Sequence, residues 1–246
     1  MKKNITYCLI SVVCLACCEW QEKPIKSYIT DYYDYSDIIL KNSTNEIVIL
    51  ASDVKWVCGW NSTKANKVIY DSLCRAHNDT TYNNHTAVGC GEMKYDIPIF
   101  HSLAYRGFFM SDIKKINITS DSDFDEQHQT QILLNDIVEF WSITPSNHIN
   151  SGYVDHYDWS VYDDVSFVPD SVYIRFRAKH DVFPIVKILS EISVEDLSVA
   201  GFADNDDVLG WLVFTQKPTL EQTHNFTITI ELLDGRIFSK NIARTF

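Results

Sequence analysis

The densest group of side chains able to do chemistry lies in one short stretch, Asp155-His156-Tyr157-Asp158-Trp159, with Asp163-Asp164 soon after it. Carboxylates beside aromatic rings suit carbohydrate recognition, because aromatic faces stack on sugar rings. Paired carboxylates are also the catalytic groups of most glycoside hydrolases. The alternative is a solvated acidic loop whose rings pack back onto the fold. We therefore treat the stretch as a candidate binding loop and assign no catalytic residue.

A second acidic stretch, Asp204-Asn205-Asp206-Asp207, offers the hard oxygen ligands that calcium prefers. It lacks the glycine and the final glutamate of an EF-hand loop, so a turn before the next strand is the favoured interpretation. Asp204, Asp206 and Asp207 remain a calcium candidate only. Elsewhere the sequence contains no HExxH, no GxSxG and no glycine-rich phosphate loop. The sequence thus predicts no cofactor and no metal site, and it favours a non-enzyme.

The cysteines beyond the N-terminal region are Cys58, Cys74 and Cys90. In an oxidising compartment two of them can form a disulfide and the third is left over, and the sequence does not say which. Buried free thiols are the other interpretation. A zinc site with His77 or His85 is less favoured, because the spacing matches no CxxC-type ligand pair.

The N-terminus predicts export. Two lysines precede an apolar run, Ile5 to Ala16, which is shorter than the about 20 residues of a membrane span. The segment Leu15-Ala16-Cys17-Cys18 resembles the bacterial lipobox, which implies lipid attachment at a cysteine. Cys18 has Leu15 at the right distance, while Cys17 has the better preceding residue, so Cys18 is preferred and Cys17 is the alternative. More than one acyl chain would make the membrane anchor stable.

These boundaries divide the chain into a signal peptide (1–17), a tether (18–30) and one β-rich domain (31–246) that allows a subdivision near 142–170. The chain carries 21 Lys and Arg against 33 Asp and Glu, a net charge of −12 that becomes −14 once Lys2 and Lys3 leave with the signal. Such a surface repels phosphates, so nucleic acid is excluded as a partner. Cations remain compatible with it.

Strands dominate the predicted secondary structure, because short apolar runs are bounded by turn-forming residues. The run Val208 to Gln216 predicts a strand buried on both faces. One helix is predicted over Glu126 to Trp141, capped by Asp123 or Asp125. Two stretches, Asn61 to Glu92 and Ser142 to Asp170, are predicted to be irregular. The other predicted strands are Asp37 to Lys41, Glu46 to Ser52, Ile97 to Arg106, Ile113 to Thr119 and Ser171 to Lys179.

The C-terminus predicts a hairpin with a definite register. A two-residue Asp234-Gly235 loop would turn the apolar residues of the returning strand to the wrong side. A three-residue loop, Leu233-Asp234-Gly235 with a left-handed glycine, places Ile230 opposite Phe238 and Phe226 opposite Ile242. Many strands with turn signals and one or two short helices favour a mainly β fold, an antiparallel β-sandwich of immunoglobulin-like or related type.

Several short motifs together resemble uncharacterised surface lipoproteins of Bacteroidetes. They are the Lys-Lys start, the Cys17-Cys18 signal end, the strand Lys115 to Ser120 leading into Asp123-Phe124-Asp125, and the Asp234-Gly235-Arg236 turn. The resemblance implies a Gram-negative origin and an outer-membrane location on the periplasmic or cell-surface face, and it carries over no active residue.

The function expected from these features is non-catalytic binding of a glycan or a protein partner by an envelope protein held at the membrane through its lipid. The first alternative is a hydrolase acting on glycans through Asp155, Asp158, Asp163 or Asp164. The second is a structural or assembly subunit of an envelope complex.

Overall fold

A computed structural model describes residues 27–44, 46–82, 106–158, 181–203, 207–219 and 223–246. The strands in these ranges are β1 (Asp31–Asp34), β2 (Asp37–Asn42), β3 (Glu46–Ser52), β4 (Lys55–Gly59), β5 (Gly107–Phe109), β6 (Ile113–Ser120), β7 (Val138–Thr144), β8 (Phe183–Ile188), β9 (Val208–Phe214), β10 (Thr223–Leu232) and β11 (Ile237–Thr245). The helices are α1 (Lys64–Ala76) and α2 (Ser146–Asn150). No helix in the described ranges is long and apolar enough to cross a membrane.

A five-stranded antiparallel sheet of order β2-β3-β9-β7-β8 forms the middle layer. One of its faces shares a core with the antiparallel sheet β11-β10-β6. Its other face shares a second core with residues of the sheet β4-β1-β5 and of α1. Along β3, Ile47 and Ile49 belong to the first core, whereas Val48 and Leu50 pack against the second. The prediction of a mainly β, antiparallel sandwich with one or two helices is confirmed.

Four of the predicted strands are found with nearly the predicted bounds: β2, β3, β6 and β9. Val208 to Leu212 are buried throughout, as expected for a strand covered on both faces. The predicted strand Ser171 to Lys179 lies outside the described residues, and so does Ile97 to Arg106 except for Arg106 itself.

The structure contains the predicted C-terminal hairpin, and its strands pair in the predicted register. Ile230 pairs with Phe238 and Phe226 pairs with Ile242. Gly235 has φ +90°, a left-handed conformation that glycine adopts without a steric penalty. Because alternation and turn chemistry are both local signals, they fix this register without help from the rest of the chain.

The helix predicted over Glu126 to Trp141 is wrong. Its first part is a series of turns, and its last part is β7, which continues to Thr144. β7 is a central strand with apolar side chains on both faces, so it carries no two-residue alternation and can be mistaken for a helix face. Asp123 and Asp125 do accept backbone N–H groups, of Thr130 and of Gln127 and His128 respectively, but as turn residues rather than helix caps.

The stretches predicted to be irregular contain regular structure. α1 lies inside the first and α2 inside the second, while β1, β4, β5 and β8 were not predicted at all. α1 escapes detection because only Tyr70 and Cys74 are buried on it, and Val68 and Ile69 face solvent. A helix with such a narrow apolar stripe gives a weak periodic signal.

The predicted tether ends earlier than residue 30. Ser27, Tyr28, Ile29 and Thr30 are all buried, and the backbone N–H of Thr30 bonds to the carbonyl of Arg106. These residues therefore belong to the folded body.

His128 stabilises the turns that replace the predicted helix. Its Nδ1 lies 2.8 Å from Asp125 Oδ1, and its Nε2 lies 3.0 Å from Asp136 Oδ1. Burial alone would lower the pKa of His128, but the hydrogen bonds to the two carboxylates outweigh burial and raise it above the ordinary 6.5. Burial alone would raise the pKa of Asp125, but the hydrogen bonds from the His128 ring and from the backbone N–H groups of His128 and Gln127 lower it. The two carboxylates thus favour the protonated form of the imidazole between them.

We expect His128→Gln to lower the free energy of unfolding by about 2 kcal/mol at pH 6, the usual size of a buried hydrogen bond to a charged group. Because the folded pKa is raised, the contribution is complete below about pH 6.5 and is lost as the pH rises through the folded pKa. Urea unfolding at pH 6 and pH 9 checks this, with Gln129→Ala at an exposed residue next to His128 as the control. A difference between wild type and His128→Gln that does not shrink with rising pH would contradict it.

Candidate functional site

The pairing of β7 with β8 brings distant parts of the chain to one end of the middle sheet. Thr144, the last residue of β7, is opposite Phe183, the first residue of β8. The residues after β7 and those before β8 therefore lie near each other. They carry His148 on α2 and Asp181 just before β8.

After α2 the chain turns back over this end of the sheet. Gly152 and Tyr153 have φ of 72° and 67°, and the backbone N–H of Tyr153 donates to the carbonyl of His148 at 2.8 Å. The Ser151 hydroxyl also donates to this carbonyl, and the backbone N–H of Asp155 donates to the hydroxyl. These bonds fix the segment that leads into the candidate binding loop.

Two imidazoles and a carboxylate meet here. His156 Nδ1 lies 2.8 Å from Asp181 Oδ1, and the rings of His148 and His156 are 5.2 Å apart between centroids. One ligand atom from each of the three side chains lies within 4.8 Å of the other two. One histidine of the group is buried and the other is accessible to solvent: His148 is 2% exposed, and the His156 side chain is 59% exposed. Among the described residues it is the one group of three or more such side chains able to hold a metal ion.

His148 is held from two directions. Its Nδ1–H donates to the backbone carbonyl of Asp155 at 2.8 Å. Tyr28 and Tyr153 contact its ring edge-on, with centroids 5.0 Å and 5.7 Å away. Because a carbonyl can only accept, the hydrogen bond places the proton of the neutral ring on Nδ1 and the lone pair on Nε2.

An arginine lies beneath this aromatic layer. The Arg106 guanidinium is 4.4 Å from the ring centroid of Tyr28 and 5.0 Å from that of Tyr82, and it donates to the Tyr82 hydroxyl. Two aromatic faces around one cation stabilise the charge in a place where water is excluded. The floor of the site is therefore aromatic and contains one buried cation.

Asp79 hydrogen-bonds both to Tyr153 at the site and to the first described residues of the chain. Its carboxylate, fully buried, accepts the backbone N–H groups of Tyr28 at 2.6 Å and Ile29 at 2.8 Å and the hydroxyl of Tyr153 at 3.0 Å. Burial raises the pKa of Asp79 despite these hydrogen bonds. We call this arrangement the Asp79 clasp.

The residues of the predicted binding loop have different surroundings in the structure. Asp155 and Asp158 are exposed, and His156 joins the histidine and aspartate group. The Tyr157 ring is half-buried and packs edge-on against Phe183, with centroids 5.6 Å apart, so this ring packs back onto the sheet as the alternative interpretation holds. Trp159, Asp163 and Asp164 lie outside the described residues.

Cys58 and Cys74 are buried free thiols and are not joined to each other. Burial raises the pKa of both thiols to about 11, so neither is a thiolate at neutral pH. His77, the proposed zinc partner, instead contacts the Tyr32 hydroxyl through Nδ1 and Asp112 through Nε2. Cys90 and His85 lie outside the described residues.

Only Asp207 of the calcium candidate is described, since Asp204 and Asp206 lie in a range that the structure leaves out. Asp207 has φ 49°, and its backbone carbonyl accepts the N–H of Ala51 at 2.8 Å. The backbone of Asp207 is therefore bonded to β3 immediately before β9 begins.

Sequence reasoning missed His148 and Asp181. Each is an isolated residue beside an element that was itself not predicted, and no local motif connects them. Only the pairing of β7 with β8 would have brought them together.

Comparison of the chain with protein-family models, with curated proteins and with solved structures gives no match.

Proposed function

We propose that the protein is a non-catalytic component of the bacterial cell envelope that binds a glycan or protein partner with the segment from Ser151 to Asp158. The observation that carries the proposal is that this segment is bonded onto a buried aromatic floor while its outer side chains stay exposed. Val154 is 70% exposed, and it stands beside the exposed Asp155 and His156. A rigid surface that combines apolar and polar groups loses little entropy on binding.

The proposal places the protein at the outer membrane, held by acyl chains on Cys18 or Cys17 and facing the periplasm or the cell surface. The lipobox-like segment and the apolar run before it support this location. Mass spectrometry of the mature N-terminus is expected to show acyl chains on one of the two cysteines. An unmodified N-terminus would contradict the anchor and leave partner binding as a separate question.

Partner binding is tested with the mature chain purified in detergent. A glycan array and a crosslinking pull-down from envelope fractions distinguish the two partner classes. Val154→Asp is expected to weaken the signal at least tenfold, because it places a charge at the centre of the surface. Val68→Asp is the matched control, since Val68 is 66% exposed on α1. Blank results in both assays, or equal loss in both variants, would count against the proposed surface.

The hydrolase alternative relies on Asp155 and Asp158, both exposed, and on Asp163 and Asp164, which the structure does not describe. No specific contact favours it over binding.

A further inference from the structure

We propose that His148, His156 and Asp181 bind a divalent transition-metal ion of the zinc class. One ligand atom from each side chain lies within 4.8 Å of the other two, and His156 Nδ1 is already 2.8 Å from Asp181 Oδ1. Ligands bound to zinc at about 2.0–2.2 Å in tetrahedral geometry stand roughly 3.3 Å from one another. The His156–Asp181 pair is thus within about 0.5 Å of the spacing of two zinc ligands, and a shift of about 1.5 Å, available to the exposed His156, brings the third ligand to the same spacing.

The surroundings of His148 match those of a metal ligand. Its Nδ1–H donates to the carbonyl of Asp155, which fixes the ring and leaves the lone pair of the neutral imidazole on Nε2. Metal-binding histidines almost always have such a partner on the second ring nitrogen, because it holds the tautomer and makes the ligand more basic. Tyr28 and Tyr153 limit rotation of the ring further.

The ligand set selects the class of metal. Two imidazole nitrogens and one carboxylate suit zinc, copper, nickel and cobalt, whereas calcium and magnesium prefer oxygen ligands alone. The net charge of −12 of the whole chain favours cations in general. Three protein ligands leave at least one coordination position of zinc open, and the exposure of His156 directs that position to solvent.

The ion would connect three separate pieces of the chain: α2, the segment after it and the residue before β8. It would thereby fasten the segment carrying the proposed binding surface to the middle sheet. We expect zinc to raise the midpoint of thermal unfolding, because a ligand that binds only the folded state stabilises it.

The test is calorimetric titration of zinc chloride into the metal-free, full chain without a polyhistidine tag. Wild type is expected to bind one ion per chain, and calcium is expected not to compete. His156→Ala and Asp181→Asn are each expected to weaken binding at least tenfold. Glu195→Gln, which removes an exposed carboxylate outside the group and outside the proposed binding segment, is the matched control and should bind as wild type does. His148 is too deeply buried for its replacement to test the ligand role alone.

Cobalt provides a second readout. Wild type and Glu195→Gln should show the visible absorption of cobalt bound by nitrogen and oxygen ligands, and His156→Ala should lose it. Absence of saturable zinc binding in wild type, or equal affinity in all variants, would overturn the proposal. Because the probe is the metal alone, this outcome is independent of partner binding, which Val154→Asp addresses.

Discussion

Replacing Asp79 with alanine is expected to lower the free energy of unfolding by about 3–5 kcal/mol, because three buried polar groups lose their acceptor at once. The variant would leave the N–H groups of Tyr28 and Ile29 and the hydroxyl of Tyr153 without their acceptor in the interior. Each buried polar group left unpaired costs about 1–3 kcal/mol. Urea unfolding followed by tryptophan fluorescence measures the loss.

Two variants make this test specific. Asp79→Asn keeps one acceptor oxygen and should lose less than Asp79→Ala. Asp71→Ala removes a half-exposed carboxylate of α1 that forms an ion pair with Lys67, four residues earlier in the helix. This change should lower the free energy of unfolding by no more than about 0.5 kcal/mol. A loss below about 1 kcal/mol for Asp79→Ala would show that the clasp does not stabilise the fold.

Gly210→Ala is expected to lower the free energy of unfolding by about 3 kcal/mol, the upper end of the usual cost of overpacking a core. A Cβ at this position would lie 2.6 Å from Cζ of Phe140 and 2.7 Å from the carbonyl oxygen of Trp141. Both neighbours belong to β7 in the middle of the five-stranded sheet, and Phe140 is fully buried. A central strand cannot move aside without loss of its hydrogen bonds.

Two comparisons separate the steric cost of Gly210→Ala from the cost of giving a glycine position a side chain. Gly235→Ala meets no atom within 4 Å but forces a side chain into φ +90°, which costs about 1–2 kcal/mol. In a Phe140→Leu background the cost of Gly210→Ala should fall, because part of the clash is removed. Equal costs in the two backgrounds would show that Phe140 is not the neighbour that matters.

The sequence predicts well those parts of the fold whose signals are local. The hairpin of β10 and β11 follows from alternation and from one glycine, and β3 follows from a compact apolar run with polar ends. β7 is the counterexample, because it is covered on both faces and its apolar residues follow no simple period. Its neighbour β9 was recognised from the nearly continuous apolar run Val208 to Gln216.

The candidate site was only partly predictable, for a different reason. His156 stood out through the acidic and aromatic residues around it, but its partners become adjacent only when β7 and β8 pair. Such pairing depends on the arrangement of the whole sheet, which no short motif encodes. The same holds for Tyr157, because the composition of its segment does not reveal that its ring packs on Phe183.

The position of β1 has a mechanical consequence. The chain enters the body through the Asp79 clasp and continues as β1, the middle strand between β4 and β5. A pull along β1 from its N-terminal end would load the hydrogen bonds to both neighbours together, in shear, instead of opening them one at a time. The body would therefore resist extraction from the end nearest the membrane in the proposed arrangement.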